Sequence, residues 1–149
     1  MPIAIKDSKI DITSEKLTKE LAKKFTKYLK GGEFIFLYGE IGVGKTTFVK
    51  YLINEFQKIN NFPQTEITSP TFSLLNEYQI KGIRIKHYDL FRINKREDTN
   101  SLDLFEKDNK LITFIEWPKL IADIQDIKSI DLTFRYLNDL NDRSVDIKV

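Results

Sequence analysis

A glycine-rich segment in the first third of the chain has the residue types and the spacing of a phosphate-binding loop. Its sequence, GEIGVGKT at positions 39–46, matches the pattern G-x-x-x-x-G-K-[ST] without a gap. Glycines let successive backbone N–H groups turn inward towards phosphate oxygens. Lys45 would place an ammonium group near the β- and γ-phosphates of a nucleotide, and the Thr46 hydroxyl would ligate Mg²⁺. The residues predicted to bind the nucleotide in this segment are Gly39, Glu40, Ile41, Gly42, Val43, Gly44, Lys45, Thr46 and Thr47.

Such a loop needs a carboxylate on the metal side, at the end of another central strand. Glu116 ends the apolar run Leu111–Ile115 and is the best-placed acid for this role. Asp89 ends a second apolar-rich segment and is a candidate to orient the attacking water or to support the metal. Ser69 and Thr71 are candidates for a loop that senses the γ-phosphate. The local sequence leaves an ordinary alternative open for each: solvated acids at strand ends, and turn-forming hydroxyls.

Two other side chains with functional potential are interpreted as structural from the local sequence. His87 is the only histidine in the chain. A single histidine is more often a hydrogen-bonded structural residue than a catalyst, so we assign it no chemical role. Trp117 is the only tryptophan, and its local sequence is more typical of a core or interface residue than of a residue that stacks on a base.

The elements around the glycine-rich segment are those that a phosphate-binding loop requires. Phe34–Tyr38 is a continuous apolar run, which predicts a central strand covered on both faces. Apolar residues from Phe48 to Phe56 recur at helical spacing and predict a helix directly after the loop. Phe72–Ile80 and Ile83–Leu90 flank a short turn and predict a hairpin. We therefore predict an α/β domain with the P-loop NTPase fold: a mainly parallel central sheet, flanking helices and an antiparallel hairpin.

The rest of the chain predicts further elements of the same domain, which we take to span residues 1–149. Thr13 and Ser14 are good N-cap residues for a helix that the glycines at 31–32 would end. Residues 3–12 are interpreted as a strand or a loosely attached arm, and residues 93–110 as a short helix or an ordered loop. Ile130–Leu137 and Ser144–Val149 predict two strands around a turn.

Composition limits the classes of function. Hydrophobic residues make up 41% of the 149 residues and charged residues 31%, an ordinary balance for one globular domain. A net charge of +2 without a long basic run does not favour direct binding to nucleic acid or to a membrane. The absence of cysteine excludes disulfides, thiol catalysis and thiolate metal sites. No segment resembles a signal peptide or a membrane span, so we expect a cytoplasmic protein.

Four sequence blocks together resemble one known family. In chain order the blocks are Gly39–Phe48, Ser69–Tyr78, His87–Arg92 and Ile115–Pro118. They look like that family's G-x-x-G-x-G-K-T-T-F, S-P-T-F…N-E-Y, H-x-D-L-Y-R and I-E-W-P. The family is TsaE, formerly YjeE, the ATPase that takes part in making N6-threonylcarbamoyladenosine (t6A) beside the anticodon of bacterial tRNA. The resemblance covers nearly the whole chain, in order and with compatible spacing.

The resemblance implies an activity and partners. It implies Mg²⁺-dependent hydrolysis of ATP to ADP and phosphate, slow for the chain alone, which resets or remodels a complex of the proteins TsaD and TsaB. Contact with tRNA would be indirect, through that complex. Thr46 and Glu116 would ligate Mg²⁺, and Lys45, Asp89 and Glu116 would be the catalytic residues.

The resemblance also implies nucleotide contacts that the local sequence leaves open. The two hydroxyls of the S-P-T-F block would form a switch-like loop, and the tryptophan would lie beside the nucleotide. An E-x-x-T segment near the N-terminus would approach the adenine, and an arginine after the last turn would reach the nucleotide. The residues concerned are Ser69, Thr71, Trp117, Glu15, Thr18 and Arg143.

Two positions depart from the family pattern. Phe91 stands where tyrosine is common, which we expect to be benign unless that hydroxyl makes a hydrogen bond. Asp103 stands where the family usually has glycine, so the backbone of residues 100–106 is not predicted by the resemblance.

Three other classes of protein with a phosphate-binding loop are alternatives to this ATPase. GTPases usually have a D-x-x-G motif, but here Trp117-Pro118-Lys119 follows the acid and supplies no glycine. The segment Asn94–Glu97 superficially resembles the guanine-binding motif N-K-x-D, but it ends in glutamate and precedes Glu116, which is the wrong order. A GTPase is therefore disfavoured. A small-molecule kinase would transfer phosphate to an added acceptor rather than to water. A nucleotide-controlled binding module would keep its function after Asp89→Ala or Glu116→Gln, provided that folding and docking survive.

Overall fold

The computed structural model describes residues 8–124, 127–138 and 141–149. The described strands are β1 Ser8–Asp11, β2 Phe34–Tyr38, β3 Leu75–Ile80, β4 Ile83–Asp89, β5 Leu111–Glu116, β6 Ser129–Tyr136 and β7 Arg143–Lys148. The α-helices are α1 Glu15–Tyr28 and α2 Lys45–Ile59, and short 3₁₀ helices lie at Arg96–Leu102 and Pro118–Leu120. All seven strands form one sheet, in the order β1-β7-β6-β2-β5-β4-β3.

The sheet is parallel in its centre and antiparallel at both edges. Strands β6, β2, β5 and β4 run parallel to one another. The hairpin β3–β4 is antiparallel, and so are the pairs β6–β7 and β1–β7. The α/β class, the parallel centre and the hairpin are thus confirmed, but half of the six pairings between described strands are antiparallel. Six residues separate Tyr136 from Arg143, too few for the crossover that a parallel β7 would require.

The two α-helices pack on one face of the sheet. Ser14 caps α1 as predicted, because its hydroxyl accepts the N–H of Leu17 at 3.2 Å. The ring centroids of Phe25 in α1 and Phe48 in α2 are 5.5 Å apart, and Phe48 contacts Phe134 of β6 at 6.0 Å. Neither Phe25 nor Phe48 is exposed, so aromatic packing fixes α2, and with it the residues at its N-terminus, against the sheet. Within the described ranges, no helix has the length and apolar character needed to cross a membrane.

The segments after β4 and after β5 cover part of the opposite face. Leu104 and Ile121 pack there against Tyr88 of β4 and Ile115 of β5. Residues 93–110 were predicted to form a short helix or an ordered loop, and the short 3₁₀ helix Arg96–Leu102 is found.

Asp103 has a backbone conformation that favours glycine. Its φ of 51° is left-handed, and aspartate is one of the few other residues that adopt this conformation readily. The residue that departs from the family pattern is therefore compatible with the backbone found here.

A charged cluster ties the hairpin to this segment. Glu106 accepts hydrogen bonds from Arg84 and from Lys86, whose Nζ lies 2.7 Å from Glu106 Oε1. Lys86 itself is only 5% exposed. The hydrogen bond from Arg84, followed by that from Lys86, lowers the pKa of Glu106 from 4.5 to about 2. Because this pKa is lowered on folding, the ionised carboxylate stabilises the folded state.

We predict that Glu106→Gln weakens the acid sensitivity of folding. The contribution of Glu106 is complete above about pH 4.5 and is lost as the pH falls towards about 2. The urea midpoint of the unmodified chain should therefore fall more steeply over this interval than that of the variant. Asp123→Asn is the control, since Asp123 pairs with Arg96 at the surface and such pairs contribute little. Equal slopes for the unmodified chain and Glu106→Gln would contradict the prediction.

Candidate functional site

The backbone of the glycine-rich loop takes conformations that favour glycine. The φ angles of Gly39, Gly42 and Gly44 are 143°, 80° and 119°. A Cβ atom on Gly39 would lie 2.7 Å from the carbonyl oxygen of Phe134, closer than real contacts allow. Helix α2 begins directly after Gly44. The loop therefore connects the carboxyl end of β2 to the N-terminal end of a helix, where unpaired N–H groups attract anions.

A cavity of about 240 Å³ lies beside this loop. One side is formed by the loop and the start of α2, through Ile41, Gly42, Gly44, Lys45, Thr46 and Thr47. The other side is formed by Thr71, in the segment before β3, and by residues that end or follow β4 and β5, namely Asp89, Phe91, Glu116 and Trp117. The structure thus brings most of the predicted site residues to one place.

Glu116 lies where the metal-side carboxylate was expected. It is the last residue of β5 and is 2% exposed. The Thr46 hydroxyl donates to the carboxylate and lies 3.0 Å from Oε1 and 2.9 Å from Oε2. The first residues of α2 and the end of β5 are therefore in direct contact.

Asp89 and the two hydroxyls of the 69–71 segment form a second group. Thr71 Oγ1 donates to Asp89 Oδ2 at 3.1 Å, and the hydroxyls of Thr71 and Ser69 are 2.7 Å apart. The N–H of Phe91 donates to Asp89 Oδ1 at 2.9 Å. Both carboxylate oxygens of Asp89 are thereby held in place. Ser69 does not line the cavity itself and reaches it through Thr71.

Lys45 is buried between the loop carbonyls and an aromatic ring. Its ammonium group donates to the carbonyl oxygens of Gly39 and Glu40, the latter at 3.1 Å. The same group lies 4.0 Å from the centroid of the Trp117 ring, within cation–π distance. Burial lowers the pKa of Lys45, while the carboxylates of Glu116 and Asp89 act in the opposite direction. The charge of Lys45 is therefore placed among the two candidate acids.

Trp117 lies at the cavity, where the family resemblance placed it and the local sequence did not. Its φ of 56° is left-handed, and its N–H donates to the Leu37 carbonyl of β2 at 3.3 Å. Its ring contacts Phe91 with the centroids 4.9 Å apart. The left-handed turn directs the chain away from the sheet after Glu116 and leaves the indole against Lys45.

His87 is the site residue that the sequence reasoning missed. It is fully buried in β4, and its Nε2 atom lies 2.6 Å from Glu116 Oε2. Asp89 lies opposite Glu116 in the sheet, so these two residues share a face. His87 and Asp89 are two residues apart in one strand and therefore share that face as well. The two-residue spacing of His87 and Asp89 is the sequence signal that indicates a position for His87 near Glu116.

Seven predicted nucleotide contacts do not line the cavity. Gly39, Glu40 and Val43 lie within the loop itself, Ser69 reaches the cavity through Thr71, and the other three lie elsewhere. Glu15 and Thr18 lie in the first turns of α1, where the Thr18 hydroxyl donates to the carbonyl of Ser14 at 3.3 Å. Arg143 begins β7, and its Nη1 would lie 3.7 Å from a Cβ atom on Gly44, which places it next to the loop. The adenine contacts expected for Glu15 and Thr18, and the nucleotide contact expected for Arg143, stay predictions.

The fold and the loop define the class of the protein. A parallel sheet centre with a G-x-x-x-x-G-K-T loop between β2 and α2 is the P-loop NTPase arrangement. The family model described as "Threonylcarbamoyl adenosine biosynthesis protein TsaE" matches residues 12–145. The chain belongs to the TsaE family.

Individual relatives agree with this assignment. The tRNA threonylcarbamoyladenosine biosynthesis protein TsaE of Rickettsia typhi is 36% identical over 137 residues, which are 92% of each chain. The protein of the same name from Aquifex aeolicus is 43% identical over 82 residues, 55% of this chain and 59% of that one. The crystal structure of Bacillus subtilis YdiB superposes with a TM-score of 0.71 at 23% identity, covering 94% of this chain and 83% of that one. This structural likeness supports the fold.

We predict that Gly39→Ala destabilises the chain by about 1–3 kcal/mol, the usual cost of a side chain in a glycine-only conformation. The reason is the φ of 143° together with the approach to the Phe134 carbonyl. Gly82→Ala is the matched control, because a Cβ atom on Gly82 meets nothing within 4 Å, and should change stability by less than about 0.5 kcal/mol. Urea denaturation measures both. Equal effects of the two substitutions would show that the loop backbone does not depend on glycine at position 39.

Proposed function

We propose that the chain is a Mg²⁺-dependent ATPase that acts in the synthesis of t6A in tRNA. The observation that carries the proposal is the single cavity in which the loop, Lys45, Asp89 and Glu116 meet. Such a set of groups suits a polyanionic substrate whose transition state needs positioning and charge stabilisation more than covalent chemistry.

The loop and Lys45 would hold the phosphates. The N–H groups around Gly42 and Gly44 and the N-terminal end of α2 attract anions. Lys45 donates to two carbonyls of the same loop, so its ammonium group is within a short side-chain movement of anything bound there. We infer that phosphate oxygens replace these carbonyls as partners of Lys45. Since Trp117 covers the same ammonium group, its ring would report on that exchange.

The residues at this site fit magnesium better than a transition metal. Thr46 and Glu116 offer a hydroxyl and a carboxylate, the hard oxygen ligands that Mg²⁺ prefers. Over the described ranges, no group of three or more His, Cys, Asp or Glu side chains could form a complete protein cage for a metal. Magnesium usually takes its remaining ligands from water and substrate phosphates. When bound, it would neutralise charge on the β- and γ-phosphates.

Asp89 would orient the attacking water. Its two carboxylate oxygens are fixed by Thr71 and by the N–H of Phe91, while the residue still lines the cavity. A carboxylate held in this way is well suited to accept a hydrogen bond from a water molecule and to aim it at the γ-phosphate. Thr71 and Ser69 would couple this water site to the conformation of the 69–71 segment.

The family supplies the biological setting of the proposal. Hydrolysis would reset or remodel a complex of TsaD and TsaB, and tRNA would be reached only through that complex. The cavity rim supports a role for docking, because the side chains of Ile41 and Phe72 are 68% and 82% exposed and their segments carry site residues. A partner that covers this rim would exclude water and complete the site, so the chain alone should hydrolyse ATP slowly. The cytoplasmic location expected from the sequence belongs to the same proposal.

We predict that phosphate release from Mg²⁺-ATP is stimulated by the TsaD–TsaB pair and is abolished by Lys45→Ala. Removal of the ammonium group deprives the β- and γ-phosphates of their nearest cation. Lys81→Ala is the control, since Lys81 is an exposed lysine in the hairpin turn and should leave phosphate release unchanged. Release is measured in the presence and the absence of the pair.

Other outcomes would favour the two alternatives. Phosphate found on an added small molecule instead of in solution would indicate a kinase. ATP-dependent complex formation that is unimpaired in a hydrolysis-dead Asp89→Ala variant would indicate a binding module. The absence of both stimulation and complex formation would contradict the proposed role.

A further inference from the structure

The roles proposed for the site residues do not include the buried contact between His87 and Glu116. His87 Nε2 lies 2.6 Å from Glu116 Oε2, and neither residue is more than 2% exposed. The other ring nitrogen, Nδ1, is buried without a hydrogen-bond partner. His87 does not line the cavity. The ring therefore directs its hydrogen bonding at one target, the candidate metal-side carboxylate.

The direction of this hydrogen bond follows from the chemistry of the two groups. An ionised carboxylate only accepts hydrogen bonds, so the hydrogen lies on His87 Nε2. A bond from a ring N–H to a carboxylate is charge-assisted, and a separation of 2.6 Å is short for such a bond. His87 therefore determines where Oε2 of Glu116 lies.

The contacts of Glu116 show why such a constraint is needed. Its described hydrogen-bond partners are the Thr46 hydroxyl, which bridges both carboxylate oxygens, and the His87 ring. A Thr46 hydroxyl that ligates a metal ion through its oxygen keeps one hydrogen to donate, but would direct it at one carboxylate oxygen rather than share it between both. His87 would then be the contact that keeps the carboxylate plane fixed.

We propose that His87 is a positioning residue for Glu116. It holds Oε2 through its Nε2–H, so that Oε1 stays directed at the Thr46 side of the cavity where Mg²⁺-ATP would bind. This inference rests on the proposed function, because it assigns His87 to the metal side of that site. Partners that orient a metal ligand typically change metal affinity by about 10–100-fold when removed.

Substitutions at position 87 separate positioning from packing. His87→Gln keeps a donor, since the glutamine amide nitrogen takes a place similar to ring Nε2. His87→Asn is polar but too short to reach Glu116, and His87→Leu fills the space without a donor. Thr113→Val is a control for general disturbance of the β4–β5 pair, because Thr113 is buried in β5 and lies opposite Lys86.

The measurement is ATP affinity by calorimetry in excess Mg²⁺ and in excess chelator, together with Mn²⁺ binding followed by electron paramagnetic resonance. The unmodified chain, His87→Gln and Thr113→Val should gain the same factor in ATP affinity from Mg²⁺. His87→Leu and His87→Asn should lose about 10–100-fold of that gain and of Mn²⁺ affinity. Affinity in chelator should be unchanged in all of them, because the hydrogen bond described for His87 goes to Glu116 and His87 does not line the cavity.

Each contrary result has a distinct meaning. A full Mg²⁺-dependent gain in both His87→Leu and His87→Asn would overturn the inference and leave the proposed function standing. An equal loss in His87→Gln and His87→Asn would also overturn it, since a donor at the right distance would then have no effect. Should His87→Leu fail to fold, the comparison of Gln with Asn still decides. An unmodified chain that gains no ATP affinity from Mg²⁺ would overturn the proposed function and this inference together.

Discussion

The parallel pairing of three adjacent strands is the constraint on which the rest of the site depends. Strand β5 lies between β2 and β4, with Glu116 opposite Leu37 on one side and Asp89 on the other. All three strands end at the same edge of the sheet, so the loop after β2 and the two acids meet there. A shift of one residue in either pairing would turn a carboxylate to the opposite face. The buried apolar runs of these strands fix the register and thereby place the chemistry.

A second constraint is the burial of charge at this edge. Lys45, Asp89 and Glu116 are each no more than 4% exposed, and isolated buried charges are costly. The cost is offset by mutual proximity and by the polar and aromatic groups around them: two loop carbonyls and an indole for Lys45, hydroxyls for the acids, and the His87 ring for Glu116. The polar groups of the site are therefore held by contacts with one another and with the loop. Preorganisation of this kind favours the stabilisation of a charged transition state.

The features predicted correctly from the sequence are those that depend on contiguous residues. The loop at 39–46 is a continuous motif, and Glu116 and Asp89 end apolar runs whose length indicates strands. The hairpin and the two final strands are also local patterns. What the sequence did not predict depends on pairing in space: β1 pairs antiparallel with β7 at one edge of the sheet, and His87 meets Glu116 across 29 positions of the chain. The sequence signal for this contact is the spacing of two residues between His87 and Asp89, which puts both side chains on one face of the strand.

The family resemblance is informative for residues within its blocks and less informative for residues far from them. Trp117 directly follows Glu116, and a left-handed φ turns its ring onto Lys45, a conformation that no propensity predicts for tryptophan. Arg143 lies next to Gly44 because β7 and the loop share one end of the sheet. Glu15 and Thr18 belong to α1, whose described contacts do not bring them to the cavity. Their expected role depends on where the adenine lies, which the cavity residues alone do not determine.

The proposed function requires that the loop at residues 39–46 binds the phosphates of ATP through its backbone. The most direct test is the change in backbone amide chemical shifts, followed by heteronuclear NMR, when Mg²⁺-ATP is added. We predict that the largest chemical-shift changes fall on the amides of Gly42, Gly44, Lys45 and Thr46. Their amide protons should move downfield as they donate to phosphate oxygens. Saturable binding that leaves these amides unchanged and shifts residues elsewhere on the sheet would contradict it.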